Sequence, residues 1–528
     1  MFNNQDKGTQ NTNRIFNYYY LLIIPLIFKL LQLFTLDAFS GGLGEGWISD
    51  IAYHLNRSFT GVMAPDIPFG ANWNTGIGKT FYLIHHFFYL IAGVGLFQAR
   101  LVSYIAGLLL AGCVFYWAYK HVSEKAAVLS GFIFLASPLL TVSLPDARQD
   151  MMHCLFAFLS FLLISNALIK NRGALFLLSG FVSGLSVDIS LRGVEIVAGV
   201  YLMYVIFNRK KLFSPNSLLL ITGSIVSLIY WLALNILPIG LDNYIKYHLA
   251  AASSDGGSIT LRTLLSEFER LLSLFSGRYA VVGAFELLYL SILAGFWFKF
   301  RHKYQSAGYL VAWLVIMFAF MSVVEKTAFR TYLLVYLPPL CILAGIALEE
   351  LFERRKLAAL IMSLLILLAS SLYQGYLLEK YFYHSFVKKD YNPGEYYGKI
   401  NASVDTKKGI IGVTSHWYAF KDARYYGGQF YISRVVTILK ELNVPGDYKS
   451  RKESEKAFLD FLNKRKIEYV VADEYFKPVI SAYFGGNELP RKNFALVNTI
   501  NDQFLGRGVI SKKPPYKTEI YKIISYKL

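Results

Sequence analysis

Residues 41–55, GGLGEGWISDIAYHL, follow the first membrane-length apolar run and carry two carboxylates, Glu45 and Asp50. A carboxylate beside a membrane face is costly unless water solvates it or a cation pairs with it. The stretch 47–59 can form a short amphipathic helix that lies along the membrane surface. These residues therefore predict a functional site at one face of a membrane protein.

The composition of the whole chain indicates a polytopic membrane protein. Of its 528 residues 55% are hydrophobic, and the mean hydropathy is +0.40, far above that of a soluble protein of this length. The net charge of +18 comes largely from Lys and Arg in short loops between apolar runs, a pattern that indicates membrane topology and no nucleic-acid partner. Cys113, Cys154 and Cys341 lie inside apolar runs, so neither a disulfide framework nor a cysteine metal cluster is expected.

About eleven apolar runs are long enough to cross a bilayer as helices. The predicted spans are 17–36, 98–119, 126–144, 150–168, 173–190, 193–208, 214–237, 280–299, 305–324, 331–348 and 357–377. The apolar stretch 80–97 is predicted to be a second interfacial helix and not a span, because Arg100 begins the next run.

The basic residues fall on alternate loops, and the positive-inside rule places those loops in the cytoplasm. We therefore expect a multi-pass protein of a bacterial inner membrane, with a cytoplasmic N-terminus and the loop 37–97 outside. The basic residues that define the cytoplasmic side are Lys7, Arg14, Lys120, Lys125, Lys170, Arg172 and those within 209–211, 299–303 and 354–356.

The last part of the chain has the composition of a soluble domain. Short β-rich runs at 409–414, 467–472 and 519–524 alternate with helical patterns such as 453–465. We predict a transmembrane domain over 1–377, with the extracytoplasmic loop 37–97, and a periplasmic or extracellular α/β domain over 378–528.

The charged residues that are unusual for a membrane protein collect on the outer face. Arg148 and Asp150 lie in the turn LPDARQD (144–150), Arg192 stands between two spans, and Lys326 and Arg330 precede another. Carboxylates can act as a general base or hold a metal, while Arg and Lys can neutralise a departing phosphate. The set suits an anionic, lipid-linked substrate.

The order of these features resembles that of the C-type-fold membrane glycosyltransferases, in the aminoarabinose transferase and protein O-mannosyltransferase-like family. In that family an Asp-Glu pair and an amphipathic helix follow the first span, like GEGWISDIAYHL (44–55). An interfacial segment ends in Gly before an Arg, like FYLIHHFFYLIAGVGLFQAR (81–100). In the family, an Asp also opens the fourth span and a Lys-Gly step opens the sixth. A basic residue and a Tyr precede a Pro-containing helix. The matching residues here are Asp150, Arg192-Gly193, and Lys326, Arg330 and Tyr332 in KTAFRTYLLVYLPPL (326–340).

The chain also departs from the family pattern. Gly44 stands at the Asp of the Asp-Glu pair, which leaves Glu45. Ile77 and Gly78 stand where the family has a basic residue and Pro, with Lys79 next to them. No Trp-Trp-Asp motif occurs, which disfavours the oligosaccharyltransferase branch of the same fold.

The resemblance implies transfer of a sugar from a polyprenyl-phosphate donor to a lipid, glycan or protein acceptor on the outer side, with inversion at the anomeric carbon. Glu45 is the first candidate for the catalytic base and Asp50 the second. The two could also hold a divalent metal, Mg²⁺ or Mn²⁺, the one cofactor that we consider. The candidate substrate-binding residues are Asp150, Arg148, Arg192, Lys326, Arg330, Tyr332, Lys79 and His85.

Simpler interpretations stay open at several of these positions. Arg148 and Asp150 could form a structural ion pair at a helix start, and Asp188 could pair with Arg192. His85 and its neighbour His86 cannot share one helical face, which disfavours a two-histidine metal site. A transporter or flippase of a lipid-linked or anionic substrate is the alternative function. A transporter should have inverted repeats and polar residues near the midplane of the membrane, whereas here the polar residues gather at one face and no half-to-half similarity is found.

Overall fold

The computed structural model describes residues 12–37, 45, 48–49, 52–53, 78–237, 240–242, 286, 290, 293, 295, 306–324, 330–383, 387, 392–427, 451–473, 476–484, 488–502 and 516–527. The chain divides into two compact units. The first unit comprises Met1–Phe34, Thr75–Phe81 and Ser103–Leu377, and the second comprises Thr35–Asn74, Tyr82–Val102 and Leu378–Leu528.

The described residues up to 382 are helical wherever they form regular structure. The helices are α1 (Thr12–Leu33), α2 (Lys79–Ala92), α3 (Leu96–His121), α4 (Glu124–Ala136), α5 (Pro138–Ser143), α6 (Gln149–Lys170), α7 (Gly173–Ile189), α8 (Gly193–Asn208), α9 (Pro215–Trp231), α10 (Ala307–Val324), α11 (Leu337–Arg354) and α12 (Lys356–Phe382). A π-helical turn, Leu232–Ile236, extends α9, and a 3₁₀ segment, Arg330–Tyr336, precedes α11.

Several of these helices are apolar enough to cross a membrane. By length and composition the segments that qualify are Leu96–His121, Gln149–Lys170, Pro215–Ile236, Leu333–Arg354 and Lys356–Tyr376. Shorter apolar helices cover Tyr19–Leu33, Gly173–Ile189, Gly193–Asn208 and Ala307–Ser322. The protein is therefore a multi-pass membrane protein, and most predicted spans coincide with a helix. The predicted span 280–299 lies almost entirely outside the described residues.

The predicted span 126–144 is not one helix, and the prediction was wrong in this respect. It breaks between α4 and α5 at Ser137, whose ψ is 124°. Pro138 has no backbone N–H and disfavours helical geometry at the residue before it, so a new helix begins there. The hydroxyl of Ser137 accepts a hydrogen bond from Leu140 N at 3.2 Å and caps this new helix.

Helices α7 and α9 pack with their backbones close together. A Cβ on Gly180 would lie 2.0 Å from Leu220 O, and one on Gly223 would lie 2.1 Å from Leu177 O. Small residues are what permit such an approach between apolar helices. This packing brings the end of α7 to the π-helical turn after α9, where Asp188 meets Asn235.

The second unit contains a five-stranded mixed sheet. Its elements after residue 392 are α13 (Pro393–Ala402), β1 (Gly409–Gly412), β2 (Tyr425–Gly427), α14 (Arg451–Lys464), β3 (Ile467–Ala472), α15 (Phe476–Tyr483), β4 (Phe494–Asp502) and β5 (Tyr516–Ile523). The strand order is β2-β1-β3-β5-β4, with β1 parallel to β2 and β3, and β5 antiparallel to β3 and β4. The predicted β-rich runs correspond to β1, β3 and β5, and the predicted helix corresponds to α14.

The sheet separates two hydrophobic clusters because successive residues of a strand face opposite sides. In β3, Val470 and Ala472 belong to one cluster with Phe458 of α14. Tyr469 and Val471 belong to the other, which includes residues of α13 and Leu96 of α3. An α/β arrangement thus closes this unit, as its alternating pattern predicts.

Candidate functional site

Glu45 in the second unit is held by a buried two-point ion pair. Nε and Nη2 of Arg100 lie 2.9 Å from Oε1 and Oε2 of Glu45 respectively, and both side chains are 0% exposed. Arg100 Nη1 also donates to Leu36 O at 2.6 Å. The planar guanidinium matches both carboxylate oxygens, which offsets the cost of removing the two charges from water.

A chain of hydroxyl groups fixes the backbone around Glu45. Tyr89 donates to Ser49 Oγ at 2.7 Å, and Ser49 Oγ lies 2.7 Å from Tyr418 Oη. Tyr418 also donates to the carbonyl oxygen of Glu45 at 3.4 Å. Burial raises the pKa of Tyr418 well above its ordinary value, so this phenol stays protonated and can donate.

The two histidines of the predicted interfacial segment point in different directions, as expected. His85 is buried and meets the ring of Tyr89 edge-on, with 6.3 Å between the ring centroids. His86 Nδ1 lies 2.9 Å from the carbonyl oxygen of Ala52. The helix that carries them, α2, ends at Gly93, whose φ of +80° is a conformation that glycine adopts without strain.

In the first unit, two guanidinium groups face one carboxylate in the first turn of α6. Arg192 Nη2 donates to Asp150 Oδ1 at 2.6 Å, and Arg148 Nε lies 3.0 Å from Asp150 Oδ2. The Asp150 side chain is 4% exposed, whereas that of Arg148 is 22% exposed. The structure thus brings together three predicted substrate-binding residues. Asp188, which the sequence suggested as a partner of Arg192, instead bonds Thr80 N and Asn235.

His153, which lies one helical turn after Asp150, was not among the predicted site residues. Its side chain is 3% exposed, and neither ring nitrogen has a hydrogen-bond partner among the described residues. The signal was available, because residues three apart on a helix share a face. Lys79, another predicted substrate-binding residue, is buried at the start of α2.

Some predicted site residues lie outside the described part of the chain. These are Asp50 and Lys326, together with the side chains of Arg330 and Tyr332, whose backbone lies in the 3₁₀ segment before α11. Among the described residues, no group of three His, Cys, Asp or Glu side chains could hold a metal ion.

Comparisons with known proteins identify the fold. Residues 80–233 match the family described as dolichyl-phosphate-mannose-protein mannosyltransferase. No curated protein sequence matches the chain. Several solved structures share its fold.

The chain is similar to two crystal structures of ArnT from Cupriavidus metallidurans, one in the apo state and one bound to undecaprenyl phosphate. The identity is 14% and the TM-score is 0.62 for each of them. The match covers 95% of this chain and 97% of apo ArnT, and 98% of this chain and 100% of ArnT bound to undecaprenyl phosphate. It is also similar to the Archaeoglobus fulgidus oligosaccharyltransferase in complex with Zn and sulfate, at 16% identity and a TM-score of 0.52, over 89% of this chain and 71% of that one.

These matches define the class of protein. The chain has the fold of the C-type membrane glycosyltransferases over nearly its whole length. The predicted resemblance and fold class, a helical membrane protein with an α/β region near its C-terminus, are confirmed. The particular residues of the site stay predictions.

Proposed function

We propose that this chain is an inverting glycosyltransferase, which moves a sugar from a polyprenyl-phosphate donor to a lipid, glycan or protein acceptor. The observation that carries the proposal is the match over 98% of the chain to ArnT bound to undecaprenyl phosphate. A family of mannosyltransferases that use dolichyl-phosphate-mannose matches residues 80–233, which supports the same chemistry.

The donor's phosphate is the group that the basic residues of the first unit would bind. Arg148, Arg192 and Lys79 would stabilise the negative charge that builds up as the bond between the sugar and the phosphate breaks. Asp150 would hold the two arginines in place, since both contact its carboxylate. Lys326, Arg330 and Tyr332 stay proposed donor contacts from the segment before α11.

A carboxylate of the first loop would accept the proton of the acceptor hydroxyl. As that hydroxyl oxygen attacks the anomeric carbon, the carbon–oxygen bond to the phosphate breaks and polyprenyl phosphate leaves. Arg100 already occupies both oxygens of Glu45, and a proton placed there would leave the buried guanidinium without its counter-charge. This geometry supports Asp50 as the base and Glu45 as the residue that positions the loop.

A divalent cation, Mg²⁺ or Mn²⁺, is a further proposed cofactor. Glu45 does not fit as its ligand while Arg100 holds both oxygens, so Asp50 would be the ligand from this loop. Activity that is lost on dialysis against EDTA and restored by Mg²⁺ or Mn²⁺ supports the cofactor. Full activity after dialysis contradicts it.

We also propose the domain organisation and orientation that the charge pattern predicts. The transmembrane domain would cover residues 1–377 of a bacterial inner-membrane protein with a cytoplasmic N-terminus, and 378–528 would form an outside domain. A C-terminal alkaline phosphatase fusion should be active and a C-terminal green fluorescent protein fusion dark. The reverse pattern would place this domain in the cytoplasm.

The direct test uses full-length protein in nanodiscs with a polyprenyl-phosphate-linked sugar. Asp50→Asn should slow transfer by about a hundredfold or more, the usual contribution of a general base. Asp37→Asn is the matched control, because Asp37 is an exposed acid in the turn that follows α1. Equal rates for wild type and Asp50→Asn would exclude Asp50 as the base. Mass spectrometry of envelope lipids and glycans from a strain that lacks the protein identifies the acceptor.

A further inference from the structure

Asp188 is fully buried in the last turn of α7, where it accepts hydrogen bonds from two segments that are distant in sequence. Its Oδ2 accepts from Thr80 N at 2.9 Å, and its Oδ1 accepts from Asn235 Nδ2 at 2.5 Å. Thr80 lies in the first turn of α2, where backbone N–H groups have no partner within the helix. Asp188 therefore caps α2 from another helix.

Gly78 lets the chain approach Asp188 this closely. A Cβ on residue 78 would lie 1.8 Å from the carbonyl oxygen of Asp188 and 2.2 Å from its Oδ1. Any side chain would push the two segments apart. The departure from the family pattern at Gly78 thus has a physical role, because it allows a carboxylate to reach the start of α2.

The end of α9 completes this arrangement. Asn235 lies in the π-helical turn Leu232–Ile236, a type of irregularity that is often found at functional sites. It also donates to Trp231 O at 3.0 Å, which orients its amide toward Asp188. Tyr230 Oη lies 2.8 Å from Thr80 Oγ1 and forms a second link to α2.

Lys79 is the residue whose position depends on these contacts. It is 6% exposed and lies between Gly78 and Thr80, the two residues that contact Asp188. Burial lowers the pKa of the Lys79 ammonium, and the negative charge of Asp188 acts in the opposite direction. A change at Asp188 would therefore alter the place of Lys79, and loss of the negative charge would lower the pKa of its ammonium further.

We propose that Asp188, held by Asn235, is a positioning residue that fixes the first turn of α2 and so holds Lys79 where it meets the donor's phosphate. This inference rests on the proposed function, in which Lys79 binds that phosphate. Asp188 acts through Lys79, because a buried carboxylate repels a phosphate and would not bind it directly.

The test measures the Kd of undecaprenyl phosphate and the KM for the donor sugar, with full-length protein in nanodiscs. Asp188→Asn keeps the size of the side chain but places an N–H₂ group opposite one of its two donors. Asn235→Ala leaves the carboxylate in place and removes one of its two hydrogen bonds. Glu349→Gln is the matched control, because Glu349 is another buried carboxylate, bonded by Ser123 Oγ at 2.7 Å.

We expect Asp188→Asn and Asn235→Ala to raise the Kd and the KM by about tenfold and about threefold respectively. The kcat should fall as well, because a displaced Lys79 no longer stabilises the charge that builds up on the phosphate. Glu349→Gln should leave the Kd and the KM unchanged. In protein that already carries Lys79→Ala, Asp188→Asn should add nothing, because residues that act through one another are not additive.

Two results would overturn the inference while the proposed function stands. The first is a lower melting temperature of Asp188→Asn and of Asn235→Ala with an unchanged Kd. This result would show that Asp188 has a structural role only. The second is a change in the Kd caused by Asp188→Asn that is equally large in wild type and in Lys79→Ala protein. This result would show that Asp188 acts independently of Lys79. If Lys79→Ala itself leaves the Kd unchanged, the donor contact in the proposed function is wrong and the inference fails with it.

Discussion

The Glu45–Arg100 pair and the Asp150 cluster are both buried, but they differ in how many cations face the carboxylate. Among the residues that the structure describes, one guanidinium faces Glu45 through two parallel hydrogen bonds, and neither side chain has any exposure. Asp150 is approached by two guanidiniums, and one of them, that of Arg148, keeps 22% of its side chain exposed. The Glu45–Arg100 pair is therefore closed to solvent, whereas the Asp150 cluster leaves part of one guanidinium-bearing side chain exposed to solvent.

This difference separates two uses of a buried ion pair. A closed pair has charge balance and geometry already satisfied, so it holds a loop in place, and breaking it leaves a buried charge. Two cations on one carboxylate keep guanidinium groups oriented for an incoming anion. We therefore propose that the first arrangement holds the loop in place and that the second binds the donor, and the predictions below test this proposal.

Arg100→Ala has the largest expected effect on stability. It removes the group that bonds both oxygens of the buried Glu45, and such a loss typically costs about 3–5 kcal/mol in the free energy of unfolding. The apparent melting temperature of the purified protein should fall steeply. The double variant Glu45→Leu with Arg100→Met should recover most of that loss, because no charge is left buried.

Lys125→Ala is the control for that measurement, since Lys125 and Glu353, which form a salt bridge, are 34% and 43% exposed. Its effect should stay below about 1 kcal/mol. A small effect of Arg100→Ala, comparable to that of the control, would show that the closed pair does not hold the fold.

Arg192→Ala should weaken donor binding more than stability. The variant removes a charge-assisted donor from the Asp150 cluster, but Arg148 still faces the carboxylate. We expect the KM for the polyprenyl-phosphate sugar to rise about tenfold or more, the usual effect of a hydrogen bond to a charged group. An unchanged KM with a lower melting temperature would instead support the simpler interpretation, a structural ion pair at the start of α6.

The two regions also differ in how much of them the sequence could predict. The cost of a carboxylate beside a membrane singled out Glu45, and the turn LPDARQD singled out Arg148 and Asp150. The partner of Glu45 could not be predicted, because Arg100 is 55 residues away and spacing along the chain carries no information about that contact. Arg192 was predicted for the outer face, but its pairing with Asp150 depends on how α6 and α8 pack.

The same limit applies to the fold. Apolar runs predicted most helices, and alternation predicted β1, β3 and β5, since both signals are local. The edge strand β4 was missed, and it leaves Leu496 and Val497 largely exposed, so it lacks the buried alternation of a core strand. The break at Ser137 was missed although Pro138 signals it, because the run 126–144 is apolar throughout.

A third ion cluster, in the α/β part of the second unit, should make the stability of the protein depend on pH. Burial raises the pKa of Glu519, but hydrogen bonds from Lys477, Lys517 and Tyr521 have the larger, opposite effect and lower the pKa to about 2. Because the folded pKa lies below the ordinary value of 4.5, the stabilisation is complete above that pH and is lost as the pH falls toward 2. The melting temperature of wild type should therefore fall over this range more than that of Glu519→Gln. Parallel pH profiles would contradict this assignment.

The smallest effect is expected where an ion pair is exposed on both sides. Lys399 Nζ lies 2.6 Å from Glu395 Oε1 on α13, but the two side chains are 59% and 58% exposed. Water screens such a pair, and ordering two long side chains offsets most of the attraction, so Lys399→Ala should change the free energy of unfolding by about 0.5 kcal/mol or less. The distance is shorter than any in the Glu45 pair, so contact distance alone would rank the two pairs in the wrong order. A melting temperature that fell as far for Lys399→Ala as for Arg100→Ala would show that burial is not what separates a structural ion pair from a surface one in this protein.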